Sequence, residues 1–294
     1  MRLNHNVASL NILRTYENVL QKQSGSLQKI SSGYKVSSAK DDPNVIAQSE
    51  KMKMQIRGLQ AAGKNSQDGV SMLQTAEGGL NNMTEMLQRV KELVVKAKNG
   101  TNNSDDKQTI QKEIDSVIDG MDDMAESTEF NGVKILAAAS DNEEPLYMPV
   151  GADTGDKVAI PVRRLTSDSL KIYSGGNAYT LDDLKSGGKL SVSDFPENSD
   201  NALNVVDNAL ENIISIRSNY GSLENRFEST LTNINEIDEK MESADSNLTD
   251  TDIAEESMEY AKDNILVQAG NAMMAQSNKF PQDILQILQN VKSR

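Results

Sequence analysis

Apolar side chains recur along residues 202–248 in steps that alternate between four and three residues. This period of about 3.5 residues is typical of a coiled-coil seam, and polar side chains fill the positions between. Such a long helix cannot bury the seam against itself, so it needs partner helices. Residues 43–98 repeat the pattern, and residues 110–125 carry a shorter version. We assign to the seam of this bundle Leu80, Leu87, Val90, Val94, Ile114, Val117, Ile213, Ile216, Tyr220, Leu223 and Phe227.

Turn and cap signals set the limits of the predicted helices. The polar residues 99–104 break the helix and offer an N-cap for the short helix that follows. Asp42 can cap a helix that starts with Pro43, after an ordered linker over residues 31–42. Thr251 or Asp252 can cap the last helix. We expect that helix to stop before Pro281, to resume after it, and to match the opening helix in length.

The two ends of the chain carry amphipathic stripes with little else to form a core. Apolar residues of segment 1–30, including Tyr16 and Ile30, are spaced so that they share one helix face. Single helices with one apolar face are marginal in water, so we expect both ends to pack against copies of the same chain. The residues assigned to this assembly are Leu3, Val7, Leu10, Leu13, Leu20, Leu27, Ala254, Met258, Ala261, Ile265, Ala272, Ile284, Leu285 and Leu288.

The middle of the chain changes from helical to strand patterning. Residues 131–173 are rich in β-branched residues and in turn residues, and Asn131-Gly132 is a strong hairpin signal. We expect short strands or hairpins there, and in residues 174–200 a loop with at most a short helix. The predicted fold is mainly α: a long antiparallel helical bundle or coiled coil formed by the N- and C-terminal halves, with a small β-hairpin region.

Charge and composition exclude several classes of function. Residues 1–100 hold 14 Lys and Arg against 8 Asp and Glu, whereas the remainder holds 16 against 36. The acidic excess would repel nucleic acid. The opposite net charges of residues 1–100 and of the remainder either attract these two parts to each other or simply belong to solvated faces. No apolar run could cross a membrane, so we expect no membrane insertion. Residues 1–7 lack the apolar stretch of a secretory signal peptide.

The residues needed for common catalytic and metal sites are missing. The chain has one histidine, His5, and no cysteine, so a two-histidine metallopeptidase motif or a thiolate site is not possible. The acidic residues near Asp105, Asp122 and Asp123 lack calcium-loop spacing and are interpreted as solvated faces. We therefore expect no catalytic residue, no metal site and no cofactor.

Several motifs, in order, resemble bacterial flagellin. They are MRLNHN at residues 1–6, LQKISSGYKVSSAKDD at 27–42, FNGVKIL at 130–136, ENRF at 224–227 and QAGNAMMAQ at 268–276. The resemblance covers roughly residues 1–140 and 200–290 and implies a minimal flagellin with only its terminal (D0) and bundle (D1) domains. The implied parts are a terminal helix and linker at 1–42, bundle helices at 43–130, a β region at 131–199, a bundle helix at 200–248 and a terminal helix at 249–294.

The resemblance also implies a function and a set of partners. The chain would assemble with copies of itself, through its terminal helices, into the extracellular flagellar filament that drives motility. The flagellar type III export apparatus, with a secretion chaperone, would export it without a cleaved signal peptide. Filament cap and junction proteins would be further partners. Two alternatives stay open: a hook–filament junction protein and a cytoplasmic coiled-coil scaffold.

Flagellins are also ligands of the animal Toll-like receptor 5, and one stretch here is similar to their contact motif. It is LQRVKEL at residues 87–93, with Glu113 on the neighbouring helix. The implied contact residues are Gln88, Arg89, Glu92, Leu93 and Glu113. Spacing places Leu93 off the seam, where it would be an apolar anchor. The alternative is a solvated face that serves subunit packing.

Overall fold

Long helices account for most of the described chain, which comprises residues 6–138, 144–174, 177–192, 195 and 198–292 of the computed structural model. They are α1 (Val7–Ser32), α2 (Pro43–Ala97), α3 (Ser104–Ser127), α4 (Ser199–Thr249) and α5 (Ile253–Lys292). The predicted mainly α fold is confirmed. The chain divides into a terminal unit, residues 1–56 with 239–294, and a central unit, residues 57–238.

Short polar side chains start the helices where the sequence predicts. The Asp42 carboxylate accepts hydrogen bonds from the backbone N–H groups of Asn44 and Val45, at 2.9 and 3.2 Å, at the start of α2. Asn103 caps α3 in the same way, and Asp252 caps α5. Gly33 ends α1 with φ of 77°, a left-handed conformation that glycine adopts without strain.

The last helix differs from the prediction because α5 runs through Pro281 without a break. It is 40 residues long, against 26 for α1, so the expectation of equal length is also wrong. Proline has no N–H, and the carbonyl of Ser277 therefore lacks its helical donor. The Asn6 side chain supplies one, since its Nδ2 donates to that carbonyl at 2.9 Å while its Oδ1 caps α1.

Replacing Asn6 should separate these two roles. Asn6→Asp keeps the capping oxygen but loses the donor to Ser277, and its charge faces a carbonyl. We expect the terminal unit to lose about 1–2 kcal/mol, which thermal unfolding of the monomer followed by circular dichroism would measure. Asn6→Ser keeps a capping oxygen and loses the same donor without adding a charge, so it separates the loss of the donor from the effect of the charge. Equal stability of Asn6→Asp and the unmodified chain would contradict the proposed donor role.

Exposed polar pairs fix α2 and α4 in an antiparallel register in the central unit. Lys98 pairs with Asp200 and Lys91 with Asp207, both at 2.6 Å. The pairing moves back along α2 as it moves forward along α4, and Glu77 pairs with Arg217 at 3.4 Å. Each exposed pair contributes little stability. The buried seam between the pairs must therefore supply most of it.

The seam residues lie in one core formed by α2, α3 and α4. The fully buried members are Leu80, Leu87, Val90, Val94, Ile114, Ile213, Tyr220 and Phe227. Val117, Ile216 and Leu223 are partly buried and pack against this core. The buried face of α2 is wider than a two-helix seam because both α3 and α4 pack against it. A wider buried face also contains positions that the seam pattern leaves out.

The described part of the β region contains three antiparallel strand pairs. They pair β1 (Glu129–Phe130) with β2 (Val133–Lys134), β3 (Leu146–Pro149) with β4 (Lys157–Ile160), and β5 (Lys171–Ser174) with β6 (Asn177–Thr180). Strand β6, followed by a 3-10 helix at Asp182–Leu184, contradicts the predicted loop with at most a short helix. Gly-Gly pairs such as those in residues 174–200 occur both in loops and in hairpin turns, so they do not distinguish a loop from a hairpin.

Side chains of α3 hold the β region in place. The Asp122 carboxylate accepts from the Ser167 N–H and Oγ, both at 2.6 Å, and lies 3.2 Å from Lys185 Nζ. The interpretation of Asp122 as part of a solvated face is therefore wrong. Carboxylates of Asp119, Asp122 and Asp182 around Lys185 raise the pKa of its ammonium group, although burial opposes them.

Tyr220 links α4 to the β region and should make the central unit sensitive to alkaline pH. Its buried hydroxyl donates to the Pro161 carbonyl at 2.7 Å, and burial raises its pKa to about 12. An unfolded tyrosine ionises near pH 10, so this contribution is complete below pH 10 and is lost as pH rises towards 12. We expect the loss to reach about 2 kcal/mol over that range.

Urea unfolding at pH 8, 10 and 11.5 would measure this loss. Tyr220→Phe should cost about 1 kcal/mol at pH 8, because the hydrogen bond is lost, and should flatten the decline above pH 10. Tyr147→Phe, at an exposed position, is the control. An equally steep alkaline decline in Tyr220→Phe would show that other groups cause it.

Candidate assembly and recognition surfaces

Helices α1 and α5 lie side by side and antiparallel in the terminal unit. At one end Asn6 bonds to Ser277, and at the other Lys29 pairs with Glu256 at 3.5 Å. Between them the ring of Tyr16 lies so close to Gly270 that a Cβ there would stand 3.2 Å from it. A side chain at position 270 would therefore require the Tyr16 ring to shift by a few tenths of an ångström.

The linker before α2 and the linker before α5 are connected by backbone hydrogen bonds within the terminal unit. The Lys35 N–H donates to the Thr249 carbonyl at 2.7 Å, and the Thr251 N–H donates to the Gly33 carbonyl at 3.0 Å. These bonds form a short antiparallel bridge between residues 33–35 and 249–251. The linker that precedes α2 is ordered by the one that precedes α5.

The face that α1 turns to α5 is not the predicted apolar stripe. Most of its partly or fully buried positions repeat at helical spacing; they are Asn6, Ser9, Ile12, Tyr16, Val19, Gln23, Ser26 and Ile30, with Gly25 and Lys29 beside them. Tyr16 and Ile30 belong to this face, so the expectation that all apolar residues of α1 share one side is wrong. Sequence reasoning missed Ile12 and Val19, because the more frequent leucines dominated the pattern.

The leucine stripe of α1 is exposed instead. We call this set the α1 stripe, and its described members are Val7, Leu10, Leu13, Leu20 and Leu27. A second set, the α5 stripe, is also exposed and comprises Ala254, Met258, Ala261, Ile265 and Ala272. Met258 is 68% exposed and Ile265 67%, so α1 does not cover this stripe. Leu3 lies outside the described residues, as do the side chains of Ile284, Leu285 and Leu288.

Two exposed apolar stripes on one pair of helices require an explanation. Contiguous apolar surface on a soluble protein usually marks an interaction site or a membrane contact. None of the described helices combines the length and apolarity that crossing a membrane requires. The described side chains also include no group of His, Asp and Glu that could hold a metal ion. The stripes are best suited to contact with other helices.

A different surface, which is polar, lies where α2 meets α3. Arg89 donates from Nε to Glu113 at 3.1 Å and from a terminal nitrogen to Glu92 at 3.0 Å. The two carboxylates raise the pKa of the guanidinium, Glu113 more than Glu92. Gln88 and Glu92 are exposed, and Glu113 is half-buried. These four side chains form a charged surface that could contact a partner.

Leu93 does not belong to that surface. It is 1% exposed and lies in the core of the central unit, so the expectation that it projects off the seam is wrong. The reason is the wider buried face of α2, which extends beyond the positions that a two-helix seam would cover. A buried leucine cannot be an apolar anchor for a partner.

The architecture is that of a long-helix subunit whose paired chain ends leave apolar stripes for other helices. Comparison with known proteins identifies its family. The bacterial flagellin N-terminal helical region matches residues 3–141, and the bacterial flagellin C-terminal helical region matches residues 203–288. The chain belongs to the bacterial flagellin family.

Individual relatives match over nearly the whole length. A flagellin of Bacillus subtilis is 39% identical over 98% of this chain and 100% of its own length. A flagellar filament 30.7 kDa core protein of Treponema maltophilum is 35% identical over the same shares. A structure described as a flagellar hook-associated protein of Vibrio parahaemolyticus covers 71% of this chain and 100% of its own, with a TM-score of 0.59. At 14% identity that likeness shows the fold alone.

Proposed function

We propose that this chain is a non-catalytic structural subunit that polymerises through α1 and α5 into the extracellular filament of a bacterial flagellum. The observation that carries the proposal is the pair of exposed apolar stripes on the terminal helices. Copies of the same chain would cover them, as the burial of apolar surface favours. The near full-length match to a Treponema filament core protein supports the same role.

The functional parts and partners follow from this role. We assign assembly to residues 1–42 and 249–294, and the wall of the filament to residues 43–130, 131–199 and 200–248. Export would use the flagellar export apparatus with a secretion chaperone, and the filament would meet cap and junction proteins at its ends.

Seeded polymerisation tests the proposal. Purified monomers, prepared by heating filaments, are mixed with short seeds and followed by electron microscopy. We expect long tubes from the full chain and none from a variant that ends at Asp250, which lacks α5. If the full chain forms only short rings or stays monomeric, the polymer role is wrong, and short rings would favour the hook–filament junction protein.

We also propose that the charged surface of Gln88, Arg89, Glu92 and Glu113 can bind Toll-like receptor 5. Charge-assisted and bidentate hydrogen bonds from an arginine are strong and directional, and Arg89 is held at the surface by two carboxylates. Leu93 is left out of this proposal because it is buried. Packing against other subunits is the competing use of the same surface.

Receptor binding is tested with monomers. Arg89→Ala and Glu113→Ala should each weaken binding to the receptor ectodomain by about tenfold, measured by surface plasmon resonance. Lys96→Ala, at an exposed position about two turns beyond Arg89 on α2, is the control. Unchanged affinity in both variants, with helical content intact, would contradict the receptor proposal and leave the polymer proposal standing.

A further inference from the structure

Asp263 in α5 is the most deeply buried carboxylate among the described residues. It is 1% exposed, and its Oδ2 has no hydrogen-bond partner in the described part of the chain. An unpaired buried carboxylate is costly, so native proteins normally give it a donor or a counter-ion. The described residues do not provide one for this oxygen. A donor would have to come from outside them.

The carboxylate lines a groove of about 410 Å³ between α1 and α5, within the terminal unit. Small residues of α1, Gly25 and Ser26, leave the space open. Four carboxylates and only two ammonium groups line it, those of Lys22 and Lys29. Lys29 is already paired with Glu256, and Glu259 is paired with Lys262, so three ammonium groups face the four carboxylates. The groove therefore has a negative surplus and fits one additional cation.

Arg14 is the cation on α1 that the rest of the structure does not use. It is exposed and has no ion pair within the described residues, whereas Lys22 lines the groove and Lys29 is paired. It lies about 12 Å along α1 from Lys22, at the usual rise per residue, which is too far to fill the groove of its own chain. In the sequence it comes directly after Leu13, which is a member of the α1 stripe.

We propose that the groove at Asp263 receives the guanidinium of Arg14 from a second copy of this chain. This inference rests on the proposed polymer, and it adds a specific polar contact to the apolar stripes. A neighbouring subunit that covers the α1 stripe would also lie next to Arg14. Lys22 and Glu259, which line the groove, are exposed and long enough to turn aside. The buried charge that is unpaired in the monomer is paired in the polymer.

The proposal predicts opposite effects on monomer and polymer. Asp263→Asn removes an unpaired charge from the monomer, so its melting temperature should stay the same or rise. The same change removes the acceptor charge in the polymer, so the critical concentration for polymerisation should rise about tenfold. Glu242→Gln, at an exposed carboxylate of the terminal unit outside the groove, is the control and should leave both unchanged. A merely structural role for Asp263 would lower the melting temperature of the monomer.

A double-mutant cycle identifies the partner. Arg14→Gln alone should raise the critical concentration about as much as Asp263→Asn alone, because each removes one side of the same contact. The double variant should then be no worse than either single variant. Lys279→Gln changes another exposed cation and is the control. Its effect on the critical concentration should multiply with that of Asp263→Asn, because the two residues do not contact each other in the proposal. A multiplicative loss for Arg14→Gln with Asp263→Asn, about a hundredfold, would overturn the assignment.

Other outcomes also decide the question. If the unmodified chain does not polymerise, the proposed function and this inference both fall. If it polymerises and Asp263→Asn polymerises equally well at low and high salt, only the inference falls. If Lys22→Met lowers the melting temperature of the unmodified monomer but not that of the Asp263→Asn monomer, Lys22 of the same chain is the partner. Stabilisation of the monomer by Ca²⁺ that depends on Asp263 would show a metal site instead.

Discussion

Gly79→Ala should destabilise the central unit by about 2 kcal/mol, whereas Gly78→Ala, one residue earlier, should stabilise it by about 1 kcal/mol. A Cβ on Gly79 would stand 2.7 Å from Thr128 Oγ1 and 2.9 Å from Leu136 Cδ1. Thr128 cannot turn away freely, because its Oγ1 donates to the Met124 carbonyl at 2.7 Å. A Cβ on Gly78 meets no atom within 4 Å. At Gly78, alanine only gains its better helix propensity.

Thermal unfolding of monomers would measure both changes. Tyr220 is buried in the central unit, so near-ultraviolet circular dichroism, to which its packed ring contributes, should be followed as a signal of that unit. We expect the two variants to shift the melting temperature in opposite directions. Destabilisation by both would mean that α2 tolerates no side chain on either glycine. Stabilisation by both would mean that Thr128 and Leu136 move aside at little cost.

Local signals predicted the helices well because each start and stop depends on a few neighbouring residues. Asp42, Asn103 and Asp252 cap helices where short polar side chains precede an apolar pattern. Gly33 ends α1 for a similarly local reason. The five-part division of the chain at residues 42, 130, 199 and 248 stays a prediction.

Features that depend on a remote partner could not be predicted. The Ser277 carbonyl is satisfied by Asn6, some 270 positions away, and nothing near Pro281 in sequence announces this. The same holds for α1, which has two apolar faces, one against α5 and one exposed. Periodicity alone does not say which face pairs within the chain and which is left for a neighbour.

The width of a buried face also depends on how many helices surround it. Leu93 is buried because α3 and α4 both pack against α2, although its position lies outside the seam pattern. Further along α4, Ile237 fits the apolar pattern of residues 202–248 and yet is 48% exposed. A seam pattern identifies a helix with a partner, but the number of partners at each point comes only from the three-dimensional structure.

Leu20→Asp should abolish polymerisation at concentrations where the unmodified chain forms filaments, and should leave the monomer folded. Leu20 is 45% exposed in the α1 stripe, so an aspartate there costs the monomer little. In the polymer a neighbour would cover it, and burying an unpaired charge in place of a leucine costs several kcal/mol. We expect the critical concentration to rise more than about a hundredfold.

Sedimentation of seeded mixtures would measure the critical concentration, and circular dichroism would verify the helical content of the monomer. Gln21→Glu adds the same charge at the adjacent exposed position outside the stripe and is the control. A strong effect of Leu20→Asp with little effect of Gln21→Glu would show that the stripe itself, and not the net charge of α1, carries assembly. Filaments of Leu20→Asp at the normal concentration would mean that this leucine stays in contact with water in the polymer, which would contradict the assignment of Leu20 to the assembly contact.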